Sequence, residues 1–481
     1  MTTVTISQGR VALDDPHACT DANDILTVFG ALFDTLVRRT PGGGYCPALA
    51  TEWTVSEDAR RYHFLLREGV VFHDGDPCEA DAIRYALMRM ARPDMGATLG
   101  APGVYAQYLA GLEVEVLGRH EIALTLAQPI ADLFDILAYG HVVSPRAVEA
   151  AGEDLARRAV GTGPYRLQSY LPGERIELRA NPGHFDGKPT HDGIVWVKGE
   201  TAAGRAEALR TGQVDIANGL PRAALSELPS SSFTTVEFLA PTALIMMFNA
   251  AEGPAGDPRV RLALNLAINR RQLVEGVLEG AGQPLHGFVS PVHYGADPNA
   301  PPFVQDLAEA RRLLAEAGHP DGLTLQLYCP TRLPDEAQAL ADAIEAQLAP
   351  LGVRFERDIE PDRVRYANQV RLKAIHDVCV FDSSPMSVFR VLHEKVDSRV
   401  RGSWWQGYSN PAVERLIDLA RVTTSNAARE ELYRQCYRLL QQDPPWLYLY
   451  NHRRVIGLRG RHPDWRMRSD GVVDVRALPA F

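Results

Sequence analysis

A chain of 481 residues, 46% hydrophobic and 23% charged, is too long for one ordinary core and has the composition of a folded protein, so two or three domains are expected. Its formal charge of −10 argues against nucleic-acid binding, which needs a basic face. No apolar run of about 18 residues reads as a membrane span.

In chain order, "TVTISQ" (2–7) alternates like a strand, and the periodicity from Ile25 to Val37 predicts a helix. "RYHFLL" (61–66) is a second strand. "LEVEVLGRHEIALTLAQP" (112–129) is a hairpin, with Val114 and Val116 alternating on one arm, Ile122, Leu124 and Leu126 on the other, and Gly118 near the bend. "GTGPYRLQSYLPGERIELRANP" (161–182) is another strand pair, turned at Pro172-Gly173, and a helix follows at 201–212. From 241 the pattern changes. "ALIMMFNA" is a continuous apolar strand of the doubly buried kind. Helices are expected at 258–278, 306–317 and 335–349, and strands at 323–329, 352–359 and 376–381. Such alternation predicts parallel βαβ units. The six cysteines (Cys19, Cys46, Cys78, Cys329, Cys379, Cys436) form no CxxC, so zinc spacing is absent and most should be small buried apolar residues.

The densest cluster of polar chemistry is "HDGDPCEAD" (73–81). His73, Asp74, Asp76, Glu79 and Asp81 invite a metal reading. Yet Asp-Gly is a strong reversal signal, Pro77 fixes the exit, and Ile83, Leu87 and Met90 then recur at helical spacing. Residues this close around a turn point in different directions, so the cluster is expected to be structural.

The stretch "LATEWTVSEDARRYHFLLREGVVFHDGDPCEADAIRYALMR" (49–89) resembles the signature region of the family 5 solute-binding proteins of ABC importers, which include dipeptide-, oligopeptide- and nickel-binding proteins. Two positions depart from it: Glu79 stands at the family's usual Thr cap and Ala82 at its usual Asp. "LFDTLVRR", "GTGPYRLQSYLPGERIELRANPGHFDG", "GQVDIANG", "DPRVRLALNLAINRRQLVEGVLEGAGQP", "YSNPAVERLIDLAR" and "QDPPWLYLY" continue the resemblance in family order, from about residue 3 to 455.

The resemblance implies an α/β, two-lobed periplasmic-binding-protein fold (type II, Venus-flytrap) with an additional inserted domain. Domain I would be 1–35 and 160–240, domain II the insertion 36–159, domain III 241–455, and 456–481 a tail returning to domain I. The implied function is capture of a peptide or similar small zwitterionic or anionic solute between closing lobes and delivery to an ABC permease, by a monomeric, periplasmic protein with no cofactor, no metal and no nucleic-acid partner. "HDVCVFDSSPMSVF" (376–389) is similar to the family region whose acid pairs with a ligand ammonium, and Asp382 falls at that position; a turn-capping role is its structural alternative. Cys329 stands where dipeptide binders carry a carboxylate-binding Arg, with Arg332 three residues on, either a substitute or a solvated loop charge. In "RGSWWQGYSN" (401–410), Trp404, Trp405 and Tyr408 offer ring surface. Neighbours in an extended loop face opposite ways, so at least one of the tryptophans should line the cleft. Thr20, after the first strand, and Met246, on the apolar strand, complete the candidate ligand-binding residues, Met246 with a core role as its alternative.

An enzyme is disfavoured: there is no G-x-S-x-G, H-E-x-x-H, P-loop or strand-following G-x-G-x-x-G. The alternatives are a nickel or metal-chelate carrier, drawing on scattered histidines, and a cytoplasmic ligand sensor of the same fold. The sensor draws on the start "MTTVTISQGRVALDDP", which shows no export signal; a mature exported form with an added Met reads the same way.

Overall fold

The computed structural model describes residues 2–18, 21–40, 44–95, 103–152, 158–293, 295–297, 299–332 and 334–481. The chain divides into two compact units, Met1–Phe238 with Arg454–Phe481, and Leu239–Arg453. These divisions fall two residues before the expected domain limits at 240 and 455. Two long strands, Phe233–Phe248 and Trp446–Arg459, carry the chain from one unit to the other.

In the first unit, Thr3–Gln8 runs parallel to Gly193–Lys198 and to Ile216–Leu220. Arg175–Ala180 and Tyr165–Leu171 extend the sheet as an antiparallel pair turned at Gly173, whose φ of 78° suits glycine. A second, antiparallel sheet has the order Ala50–Val55, Arg61–Leu66, Glu121–Thr125, Glu113–Gly118 and lies wholly within 36–159. The expected helix from Ile25 ends at Leu32, not Val37. Phe33 turns extended there, and Asp34 beyond it is drawn into a buried ion pair with Arg476 at 2.8 Å. Gly161 and Gly163 of "GTGPY" lie against the backbone of Ala31 and Leu32, where a Cβ would collide.

The "HDGDP" cluster is a turn. Gly75 has φ 92°, His73 Nε2 donates to the Gly163 carbonyl at 3.0 Å, and Asp74 accepts from Ser144 Oγ at 2.8 Å. Glu79 pairs with Arg119 at 2.8 Å and Asp81 with Arg84 at 2.9 Å. The helix Ala80–Met90 then buries Ile83, Leu87 and Met90. Among the described residues, no group of three or more His, Cys, Asp or Glu is arranged to hold a metal, and no helix is long and apolar enough to cross a membrane.

In the second unit, Thr324–Pro330 is flanked by Arg354–Glu360 and Val378–Ser383, all parallel, and Ala243–Phe248 pairs antiparallel on the far side of Val378–Ser383. The predicted βαβ units are thus present, with helices Ala337–Leu348 and Arg363–Arg371 as crossovers. Leu325, Leu327 and Cys329 alternate onto a core shared with Leu244, Met246, Val378 and Val380. The helix expected over 258–278 is two, Pro258–Ala267 and Arg270–Val277. Ile268 is extended at the break, Asn269 caps the second helix, and the buried Arg270 guanidinium donates to the Asn265 carbonyl at 3.1 Å. Of the described cysteines, Cys78, Cys329, Cys379 and Cys436 are buried, Cys46 is half-buried, and all five are free.

Candidate functional site

Because the three strands of the second unit are parallel, their carboxyl ends share one edge, where open α/β sheets place ligands. Cys329, Glu360 and Asp382 stand at those ends. Asp382 is half-buried; its carbonyl accepts from Lys395 Nζ at 2.8 Å, and among the described residues its carboxylate makes no hydrogen bond or ion pair. A carboxylate left this way inside a fold rich in acid–base pairs is available to an external cation.

Beside it, Phe381 gathers an aromatic tier. Its ring centroid lies 6.4 Å from Tyr366 and 5.1 Å from Trp404, and Tyr366 stacks at 4.6 Å on Tyr328. The Tyr366 hydroxyl donates to the Tyr328 carbonyl at 3.2 Å, which holds the tier against the strands. Two cations face the Phe381 ring, Arg363 Cζ at 5.4 Å and Lys395 Nζ at 5.6 Å. Lys395 is carried there by a π-helical turn, Leu392–Val396, directly after the short helix Val388–Val391. Such turns recur at functional sites.

The tryptophan loop is held from beneath. Lys373 Nζ donates to the Gly402 and Ser403 carbonyls at 3.0 and 2.8 Å, and Gln406 Nε2 to the Val370 carbonyl at 2.8 Å. Burial, and then the charge of Arg371, lower the Lys373 pKa to about 8. Trp404 is half-buried against Phe381. Trp405 Nε1 donates to the Tyr408 carbonyl at 2.6 Å, and Arg401 lies 5.7 Å from its ring.

The candidate residues therefore separate. Asp382 stands at the end of its strand, and Trp404 packs on the neighbouring Phe381, with ring centroids 5.1 Å apart. Arg332 is exposed two residues beyond its strand. Tyr408 is buried, its hydroxyl donating to the Asp443 carbonyl at 3.0 Å, so the expected ring surface is turned inward to close a loop. Met246 is 1% exposed and Cys329 fully buried, both in the core, where alternation sends their side chains; burial pushes the Cys329 thiol up to about 11. In this structure these three side chains stand in packing positions, for Met246 the core role given as its alternative. Thr20 lies outside the described residues. Arg363 and Lys395 were missed: a cation's pairing depends on neighbours remote in sequence, and the only local signal was the Asp362 cap that opens the helix at 363.

The first unit holds a cavity of about 100 Å³ lined by Asp34, Arg38, Arg39, Tyr139, Arg468, Asp470 and Arg476. Here the charges are matched internally: Arg476 with Asp34 at 2.8 Å, Arg38 with Asp186 at 2.6 Å, Arg468 with Asp470 at 3.0 Å, and Arg39 with Asp135.

The chain belongs to the bacterial extracellular solute-binding proteins, family 5, whose model matches residues 44–386. It is 28% identical over 460 residues to the glutathione-binding protein GsiB of Salmonella paratyphi A, covering 90% of this chain and 86% of that one. In fold it is similar to the ABC transporter-associated periplasmic binding protein DppA from Helicobacter pylori in complex with the peptide STSA, with a TM-score of 0.80, 24% identity, and coverage of 98% and 96%. The PBP AgaA in complex with agropinic acid, from A. tumefaciens R10, is also similar, with a TM-score of 0.79, 22% identity, and coverage of 95% and 93%. The family and these relatives establish a type II periplasmic-binding-protein fold and a role in solute binding for ABC transport.

Proposed function

We propose that this protein captures a peptide or similar small zwitterionic or anionic solute, in the periplasm, and delivers it to a membrane permease without chemical turnover. One observation carries the reading: the Asp382 carboxylate, at the carboxyl end of a parallel strand, has no partner among the described residues. A ligand ammonium would supply the missing charge. A charged ligand terminus taken out of water needs such a partner, or binding costs several kcal/mol. Relatives named for glutathione or solved with a peptide or agropinic acid support this range of solutes.

Native mass spectrometry of the freshly purified protein, with identification of the released molecules, tests the proposal, because a tight ligand stabilises the folded state and is retained by mass action. A set of short peptides is the expected result. One discrete solute lacking an amine, or a metal complex, would overturn the peptide reading.

A further inference from the structure

The geometry points to Arg363 as the partner of a ligand carboxylate, so that this edge of the second unit accepts a zwitterion whose ammonium and carboxylate lie at least one peptide unit apart. The inference rests on the reading of Asp382 as a ligand contact and extends it.

Arg363 opens the helix Arg363–Arg371, immediately after the strand that ends at Glu360. Its guanidinium lies 5.4 Å from both the Phe381 and Tyr366 rings. Nε and Nη1 are out of water and without a hydrogen-bond partner. The nearby acids are already engaged. Glu360 pairs with Arg365 at 3.0 Å and accepts from the Asp362 backbone N–H at 2.9 Å. Asp362 caps the helix, accepting from the N–H groups of Val364 and Arg365 at 2.9 and 3.1 Å.

Two guanidinium nitrogens kept from water with no acceptor are costly, and ring faces offset only part of that cost. Lys395 Nζ lies 5.6 Å from the same Phe381 ring. The arrangement is completed by an anion, and a planar carboxylate matches the guanidinium fork.

Phe381 and Asp382 are consecutive on one strand, so their side chains leave on opposite faces. A ligand meeting both Arg363 and Asp382 must therefore cross the strand end. The two charges of a single α-amino acid sit on one carbon and cannot do so, whereas those of a short peptide can.

The test is calorimetric titration of the full chain with Ala-Ala-Ala, its C-terminal amide, and alanine, for the wild type and for Arg363→Gln, Arg363→Lys and Asp382→Asn. The wild type is expected to bind the free acid more tightly than the amide and alanine not at all. Arg363→Gln should weaken the free acid by about 30-fold or more, the lower end for truncating one partner of a buried charge pair, and change the amide by less than about three-fold. Arg363→Lys should recover part of the preference, and it serves as the test variant if Arg363→Gln loses its cooperative melt. Arg363 variants that weaken acid and amide alike, or neither, would overturn the inference, while loss of both probes in Asp382→Asn would leave the zwitterion reading standing. Failure of the wild type to bind either peptide removes both.

Discussion

Asp34 in the first unit and Asp382 in the second are both carboxylates inside the fold, and they are treated oppositely. Asp34 is fully buried. It accepts from Arg476 at 2.8 Å, Thr162 Oγ1 at 3.0 Å and His184 Nε2 at 3.2 Å. Burial alone would raise its pKa, but the His184 hydrogen bond and the Arg476 charge outweigh burial and hold it well below the usual carboxylate range. Asp382 is half-buried and has no such set among the described residues. A carboxylate satisfied from within serves stability; one without a partner is where the proposed ligand contact would fall.

The comparison breaks if the two acids behave alike on removal. Asp34→Ala strands Arg476 and His184 and should cost about 3–5 kcal/mol of stability, the usual result of breaking a buried pair, read as a drop in the urea midpoint. Asp382→Ala should leave that midpoint within about 0.5 kcal/mol. Its effect belongs to binding: affinity for a ligand with a free ammonium should fall by about 2–5 kcal/mol by calorimetry. Unchanged affinity would remove Asp382 from the site.

Acid sharpens the contrast. In the first unit burial lowers His17 and His73 to about 4 and His141 to about 3; in the second, burial lowers His286 to about 4. Each stays neutral when folded but takes up a proton near pH 6.5 once unfolded. Their contribution is complete above pH 6.5 and is lost as pH falls toward 4, at up to about 1.4 kcal/mol per pH unit for each histidine. Asp34, with its depressed pKa, adds a loss in the same direction below about pH 4. Melting temperature should fall between pH 6.5 and 4.5, and His17→Gln should flatten that slope.

The smallest expected effect is at the tryptophan loop. Lys373→Met leaves the Gly402 and Ser403 carbonyls without their donor and should destabilise by about 1–2 kcal/mol, with increased acrylamide quenching of tryptophan fluorescence. In the wild type the folded Lys373 pKa of about 8 lies below the ordinary 10.5. The unfolded chain therefore binds more protons between these values, and this lysine's contribution to stability rises with pH across the interval.

Much of the architecture was legible in local pattern. The hairpin at 113–125, the strand pair at 165–180 and the βαβ order after residue 320 follow from apolar periodicity and turn residues, because burying one face imposes the period of the element. "HDGDP" was readable as a turn for the same reason: Gly75 and Pro77 constrain the backbone wherever they occur. The helix ends were less legible. The helix from Ile25 stops at Leu32 because Asp34 is drawn toward Arg476, 442 residues away in the chain, and the 258–278 segment breaks where Arg270 finds carbonyls to bond.

The site was legible only in outline. Asp382 and Trp404 stood out by residue type and position, but Met246, Cys329 and Tyr408 did too, and side-chain direction alone separates the groups. Arg363 looked like any arginine on an exposed helix start. Its importance lies in lacking an acid where its neighbours have one, and a missing partner cannot be read from a one-dimensional order. Sequence by itself determined the elements, their order and the family, since these rest on contacts within a few residues. Which charges are satisfied from within the fold was decided by tertiary structure, because electrostatic pairing depends on distance in space.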